Sequence, residues 1–178
     1  MCPVAHSRGM KYDIRPATRA DVSNIYGMIK ELACHEHKAE QVKTSLEDLE
    51  RHGFCQNPVF HCLVAEVPDE RREEAKTAGY ALYYYTYSTW SGPSLYLEDL
   101  YVKPDYRGMG IGKQLLANVA KVGRDNSCVH LQLTVSEGNA SARAFYDANG
   151  GQDLTGKEGW HMIRFSREDF KNLASEAM

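Results

Sequence analysis

No two cysteines in this chain stand in a Cys-x-x-Cys spacing. The five present (Cys2, Cys34, Cys55, Cys62 and Cys128) are odd in number and irregularly placed. Zinc ribbons and disulfide frameworks need regular spacing, so neither is expected, and a reduced, cytoplasmic protein is. Long apolar runs are missing as well. The longest, Ala78 to Tyr87, covers roughly ten residues and is rich in tyrosine, whereas a membrane-crossing helix needs about twenty. Met1 to Met10 lacks the basic-then-apolar pattern of a secretory signal. Nor is positive charge in excess: 21 Lys and Arg against 24 Asp and Glu give a net charge of -3. That leaves no basic footprint for nucleic acid. No nucleic acid, membrane or metal partner is expected, and a mildly acidic chain suits a cationic substrate without specifying one.

What is present reads as one α/β domain. With 178 residues, 43% of them apolar, the chain can build a continuous core. Residues 1–10 are polar and aperiodic and read as a flexible N-terminal extension; residues 11–175 read as the domain. A short strand is predicted over Lys11 to Arg15. Thr18 and Asp21 resemble a capping box before a helix whose apolar face runs Val22, Ile25, Ile29 and Leu32. A second helix is predicted from Ser45 to about Arg51, then a buried strand over Val59 to Val67 and a charged loop from Pro68 to Thr77. Ala78 to Ser88 and Ser94 to Val102 read as an antiparallel hairpin turning at Trp90-Ser91-Gly92-Pro93. Beyond it the pattern predicts a helix lined by Ile111, Leu115, Val119 and Val122, and a strand over Val129 to Val135. A helix from Asn139 to Asn149 follows, stopped by Gly150-Gly151. Trp160 to Phe165 is predicted to close the sheet before a terminal helix after Ser166.

The segment Arg107-Gly108-Met109-Gly110-Ile111-Gly112 lies between a strand and an amphipathic helix. Alternate glycines let backbone approach an anion. The first-turn N–H groups of the helix lack helical acceptors and, with the helix dipole, suit a phosphate. A glycine-rich turn packed on the sheet is the alternative for such a triplet. Lys113 stands where the dinucleotide fingerprint needs glycine, and Gln114 follows Lys113 where a P-loop needs Ser or Thr. NAD and ATP are therefore disfavoured against another pyrophosphate ligand.

Tyr106-Arg107-Gly108-x-Gly110-x-Gly112 resembles the acyl-CoA loop of the GCN5-related N-acetyltransferase superfamily. Asn139-x-x-Ala142-x-x-Phe145-Tyr146 is similar to its second signature. Further stretches, among them Ile29-Lys30-Glu31-Leu32-Ala33, Phe60-His61-Cys62-Leu63-Val64-Ala65-Glu66, Tyr96-Leu97-Glu98-Asp99 and Glu158-Gly159-Trp160, resemble the diamine acetyltransferases with their polyamine and thialysine branches. The resemblance implies a mixed, mostly antiparallel sheet flanked by helices, acetyl-CoA as co-substrate, direct acetyl transfer to a primary amine, and a homodimer. It implies a CoA site at Arg107, Gly108, Met109, Gly110, Ile111, Gly112 and Lys113. Asn139, Ala142 and Tyr146 would complete that site, and the Leu100-Tyr101-Val102 backbone would pair with the pantetheine.

An aliphatic amine with a pKa near 10.4 is about one part in a thousand neutral at physiological pH, and only that form attacks a carbonyl. A proton acceptor and a proton donor are therefore needed. Through the resemblance, Glu98 is the acceptor, Tyr146 the donor to sulfur and Asp99 an anchor for the substrate cation. Neighbours on a strand point to opposite faces, so Glu98 and Asp99 can share a direction only if a bulge intervenes. Otherwise they are solvent-facing strand residues, and Tyr146 is an amphipathic core tyrosine. Glu36, Glu40, Trp90 and Trp160 are candidates for a cation-binding wall; helix-end charges and core anchors are their alternative roles. Ser88 stands where the polyamine branch carries an acid, and Tyr87-Ser88-Thr89-Trp90 and Gln41-Val42-Lys43 resemble the thialysine branch, which favours a short amine. Two rival readings are a protein-lysine acetyltransferase and a CoA-binding sensor without turnover. Cys34-His35-x-His37 crowds three ligands into one turn, and His61-Cys62 adds no regularly spaced second set, so no metal is expected; Cys34, Cys62 and Cys128 are expected to be buried.

Overall fold

The computed structural model describes residues 11–68 and 76–177, so the expected N-terminal extension and most of the charged loop lie outside the described residues. The chain forms two compact units, one ending at Thr134 and one starting at Val135.

In the first unit five strands stand in chain order: β1 (Asp13–Pro16), β2 (His61–Val67), β3 (Lys76–Ser88), β4 (Gly92–Val102) and β5 (Leu131–Leu133). The first four pair antiparallel; β5 joins β4 in parallel after a crossover through helix α3 (Ile111–Asp125). Helices α1 (Val22–His35) and α2 (Leu46–Gly53) complete the unit.

Two apolar clusters result. One joins Leu63, Ala81, Tyr83, Leu95 and Leu97 to the face of α3 formed by Ile111, Leu115 and Val119. The other joins Val64, Tyr80, Leu82 and Tyr101 to Val22, Ile25 and Met28 of α1 and Leu49 of α2. Strand alternation sends neighbours to opposite clusters, and each fully buried aliphatic side chain contributes about 1.5–3 kcal/mol. Met28 joins the expected α1 face, on which Ile29 and Leu32 are only partly buried.

Local chemistry fixes the helix starts. Thr18 and Asp21 form the expected capping box around a 3-10 turn at Arg19–Asp21. Arg15 of β1 donates to Asp21 at 2.8 Å and ties the sheet to the start of α1. Burial would raise the Asp21 carboxyl pKa, but the hydrogen bonds from Arg15 and Thr18 outweigh it and hold the group below its usual range. Ser45 caps α2 by accepting from the Asp48 amide at 3.0 Å.

The second unit contains α4 (Ala140–Ala148), α5 (Leu154–Glu158) and α6 (Arg167–Ser175), capped by Asn139, Asp153 and Ser166. The strand expected over residues 160–165 is not formed, and Trp160, Met162, Ile163 and Phe165 are exposed. Alternating apolar residues make a strand only when a neighbour completes the backbone ladder. β5, only three residues long, pairs with β4 alone among the described residues. α5 was not legible, because Leu154–Glu158 is too short to show helical period. Cys62 is buried as expected and Cys128 half-buried, but Cys34, on the last turn of α1, is exposed. Burial pushes the Cys62 thiol pKa up, which keeps it protonated and inert.

Candidate active site

The site grows out of an irregularity in the β3–β4 hairpin. Leu82 faces Asp99, yet the next residue of β3, Tyr83, faces Leu97. Glu98 is the extra residue of a β-bulge, and the bulge resets the alternation of β4. Before it, Leu95 and Leu97 enter the α3-side cluster. After it, Leu100 and Val102 pack on that cluster, while Tyr101 turns to the α1 side. Asp99 points the same way as Tyr101: its Oδ2 accepts from the phenol of the fully buried Tyr80 at 2.9 Å. Glu98 turns there too, its Oε2 accepting a long contact of 3.4 Å from Tyr84, four residues along β3 from Tyr80. Both carboxylates therefore share the α1-side face, the arrangement that the sequence allowed only with a bulge.

Their surroundings separate them chemically. Glu98 is exposed and Asp99 half-buried. Lost hydration raises the Asp99 carboxyl pKa to about 6; the Tyr80 hydrogen bond works against this, and the negative Glu98 adds to it. The same burial, with Asp99 nearby, drives the Tyr80 phenol well above its ordinary value, so Tyr80 remains a donor. Asp99 lies in a cavity of about 350 Å³ between the sheet, α1 and the segment entering α2. Ile29, Val42, Leu49, Phe60 and Leu82 give it apolar walls. A desolvated carboxylate in such walls is a natural seat for an ammonium group.

A candidate cofactor cradle lies further along β4. Pairing with β5 covers only Leu95 to Leu97, so the stretch from Leu100 to Val102 has no β5 partner. Arg107 Nε donates to the Val102 carbonyl at 2.9 Å, and its guanidinium lies over the Tyr101 ring. Tyr101 in turn donates to Glu31 of α1 at 3.0 Å. Gly108 (φ 75°) and Gly110 (φ 83°) adopt the left-handed conformation that other residues reach only at a cost of about 1–2 kcal/mol. Gly110 is the N-cap of α3, and its carbonyl accepts from Gln114. The amides of Ile111, Gly112 and Lys113 form the open first turn, with Ile111 buried as its anchor and Met109 and Lys113 exposed. Left-handed glycines followed by an open helix end fit a pyrophosphate, so the residues present suit the acyl-CoA implied by the motif.

Within the first unit, Trp90, Glu36 and Glu40 do not line this cavity. Trp90 sits at the hairpin tip, where its amide and that of Ser91 donate to Ser88 Oγ. Ser88 is six residues along β3 from Leu82, the partner of Asp99, or roughly 20 Å at strand rise. Ser88 therefore organises the turn. Glu36 caps the C-terminal end of α1 and Glu40 lies in a 3-10 turn at Ala39–Gln41; neither lines the cavity. In the second unit Asn139 caps α4, its Oδ1 accepting from the Ala142 amide at 3.1 Å. Ala142 and Tyr146 are one turn apart on one face of α4, with Phe145 edge-on to Tyr146. Trp160 Nε1 donates to Glu158 at 3.0 Å. Sequence reasoning missed Tyr80 and Tyr84. Period-two spacing puts both on one face of β3, but only the bulge brings the carboxylates to them. Among the described residues no group of three or more His, Cys, Asp or Glu could hold a metal, and no helix is long and apolar enough to cross a membrane.

The profile of the Acetyltransferase (GNAT) family matches residues 26–150. Thialysine N-epsilon-acetyltransferase of Bos taurus is 47% identical over 166 residues, covering 92% of this chain and 97% of its own. Among solved structures, an integron cassette protein from the mobile metagenome of V. cholerae superposes with a TM-score of 0.74 at 23% identity, covering 94% of this chain and 100% of its own. An aminoglycoside N-acetyltransferase in complex with CoA does so at 0.64 and 24%, covering 90% and 97%. These structures share the fold.

Proposed function

Since the chain belongs to the acetyltransferase (GNAT) family, we propose that it transfers the acetyl group of acetyl-CoA to the primary amine of a small cationic acceptor of the thialysine type. The observation that carries this reading is the bulge at Glu98, which turns two carboxylates of unlike environment to one face, one of them in an apolar-walled cavity.

Acetyl-CoA supplies the activated acyl group. Gly108 to Lys113 hold its pyrophosphate, the β4 backbone from Leu100 to Val102 aligns its pantetheine, and Asn139 and Ala142 contribute from α4. Asp99 seats the ammonium group. An amine cation lowers the Asp99 pKa by pairing with it, so the carboxylate is fully available at neutral pH. Glu98, exposed and able to exchange protons through water, accepts the proton that the amine must shed. Tyr146 returns a proton to the departing sulfur.

Specificity is tested by comparing kcat/KM for thialysine, putrescine, spermidine, spermine and a lysine peptide at saturating acetyl-CoA. Thialysine is expected to lead. A clear lead for spermine would overturn the short-acceptor reading, and a lead for the peptide would make the protein a protein-lysine acetyltransferase. Bound CoA without turnover of any amine would make it a sensor.

The base is tested separately. Glu98→Gln is expected to lower kcat/KM by about 10²-fold near pH 7, the usual scale for a lost general base. The deficit should shrink toward pH 10, where the free amine becomes abundant. A deficit of constant size across that range would remove Glu98 from proton transfer.

A further inference from the structure

The cavity that holds Asp99 carries charge of both signs. Asp99 contributes a carboxylate from β4 at its half-buried floor. Lys43, on the segment between the 3-10 turn at Ala39–Gln41 and α2, lines the same cavity and is exposed, which puts it at the rim. Between floor and rim the walls are Ile29, Val42, Leu49, Phe60 and Leu82. No ion pair or hydrogen bond to another described residue engages the Lys43 ammonium. The nearby Arg51 is different: it is already paired with Asp48.

A ligand complementary to such a cavity has an ammonium at one end, an apolar spacer and a negative group at the other. From this arrangement we infer that Lys43 reads the carboxylate of an ω-amino acid, so the enzyme selects lysine-like amino acids over diamines of equal length. The inference rests on the acetyl-transfer reading above and deepens it. A diamine or polyamine seated on Asp99 brings its second ammonium toward Lys43 and is repelled. A thialysine-type acceptor brings its α-carboxylate there and is attracted. Polyamines thus fail by repulsion at the rim, which is how specificity is commonly built. Lys43 touches the part of the substrate that does not react, so it acts on the choice of acceptor and leaves the chemical step to Glu98 and Tyr146.

The test compares thialysine with bis(2-aminoethyl) sulfide, its decarboxylated analogue with the same spacer and reacting amine. The readout is the ratio of their kcat/KM values. Wild type is expected to favour thialysine. Lys43→Met should lower the ratio by about fivefold, the scale of one exposed charge pair. Lys43→Glu should lower it by about 25-fold, and Lys43→Arg should restore it. The changes should appear mainly in KM, and the wild-type ratio should fall as salt rises. Lys43 is exposed, so its variants should fold, and an unchanged melting temperature checks that they do. Turnover of thialysine with a ratio indifferent to Lys43, or a wild type that accepts both amines equally, would overturn this inference and leave acetyl transfer standing. Failure of wild type to acetylate either amine would overturn both.

Discussion

Tyr146→Phe is expected to lower kcat by about 10²- to 10³-fold while the Kd for CoA changes by less than about twofold. The substitution deletes one hydroxyl and keeps the ring that lies edge-on to Phe145, so α4 should pack as before. What disappears is a proton donor. A thiol has a pKa near 8.5, so a departing thiolate needs that donor most at neutral pH and least above pH 9. The deficit should therefore narrow as pH rises, which a packing defect would not do. Steady-state rates from pH 6.5 to 9.5, with CoA titrations on the same preparations, decide between the two. Equal loss of turnover and CoA affinity would make Tyr146 a binding or folding residue.

Asp99→Asn should move stability and activity in opposite directions. Asp99 is ionised at pH 7 although the fold raises its pKa to about 6, against an ordinary 3.8, mainly by stripping its water. Between those values the native state binds more protons than the unfolded state. The stability from protonated Asp99 is thus present below about pH 4 and lost as pH rises through 6. At pH 7 the loss approaches about 3 kcal/mol, the free-energy equivalent of that shift. Asparagine has no charge to desolvate and still offers an oxygen to the Tyr80 phenol. The substrate-free variant should melt about 6–12 °C higher at pH 7. That gain should fade as the pH is taken down to 4. Amine kcat/KM should meanwhile fall by about 10²-fold, because the ammonium loses its buried counter-charge. Melting curves at several pH values beside amine kinetics read both effects. A variant less stable at pH 7 would show that the carboxylate is favourably paired and not desolvated.

Asp99 shows where stability has been given up. A desolvated carboxylate beneath apolar walls is costly in the empty protein and useful only when a cation arrives. The neighbouring Arg15–Asp21 pair is the contrast: there a buried carboxylate is met by a guanidinium and two Thr18 donors, and the arrangement is structural.

Much of this could be read from the sequence because it depends on short-range rules. The capping box at Thr18 and Asp21, the apolar stripe of α3, the hairpin of β3 and β4, and the helix starts at Asn139 and Ser166 follow from periodicity and from local hydrogen bonding. The glycine loop was legible for the same reason: left-handed backbone at Gly108 and Gly110 selects glycine wherever the chain goes next. The strand expected over residues 160–165 was not found, because a strand is completed by its neighbour and no local pattern supplies one.

The direction of Asp99 was beyond reach of the sequence. Alternation sends Glu98 and Asp99 to opposite faces, and only the pairing of β4 against β3, with Glu98 left over, turns them to one. Tyr80 bonds to Asp99, and Lys43 and Phe60 line its cavity, from three separate stretches of chain. The residue types able to do the chemistry were therefore set by sequence alone. Which of them share a cavity, and which carboxylate is desolvated, was decided by tertiary structure, since register and burial arise only when distant segments pack.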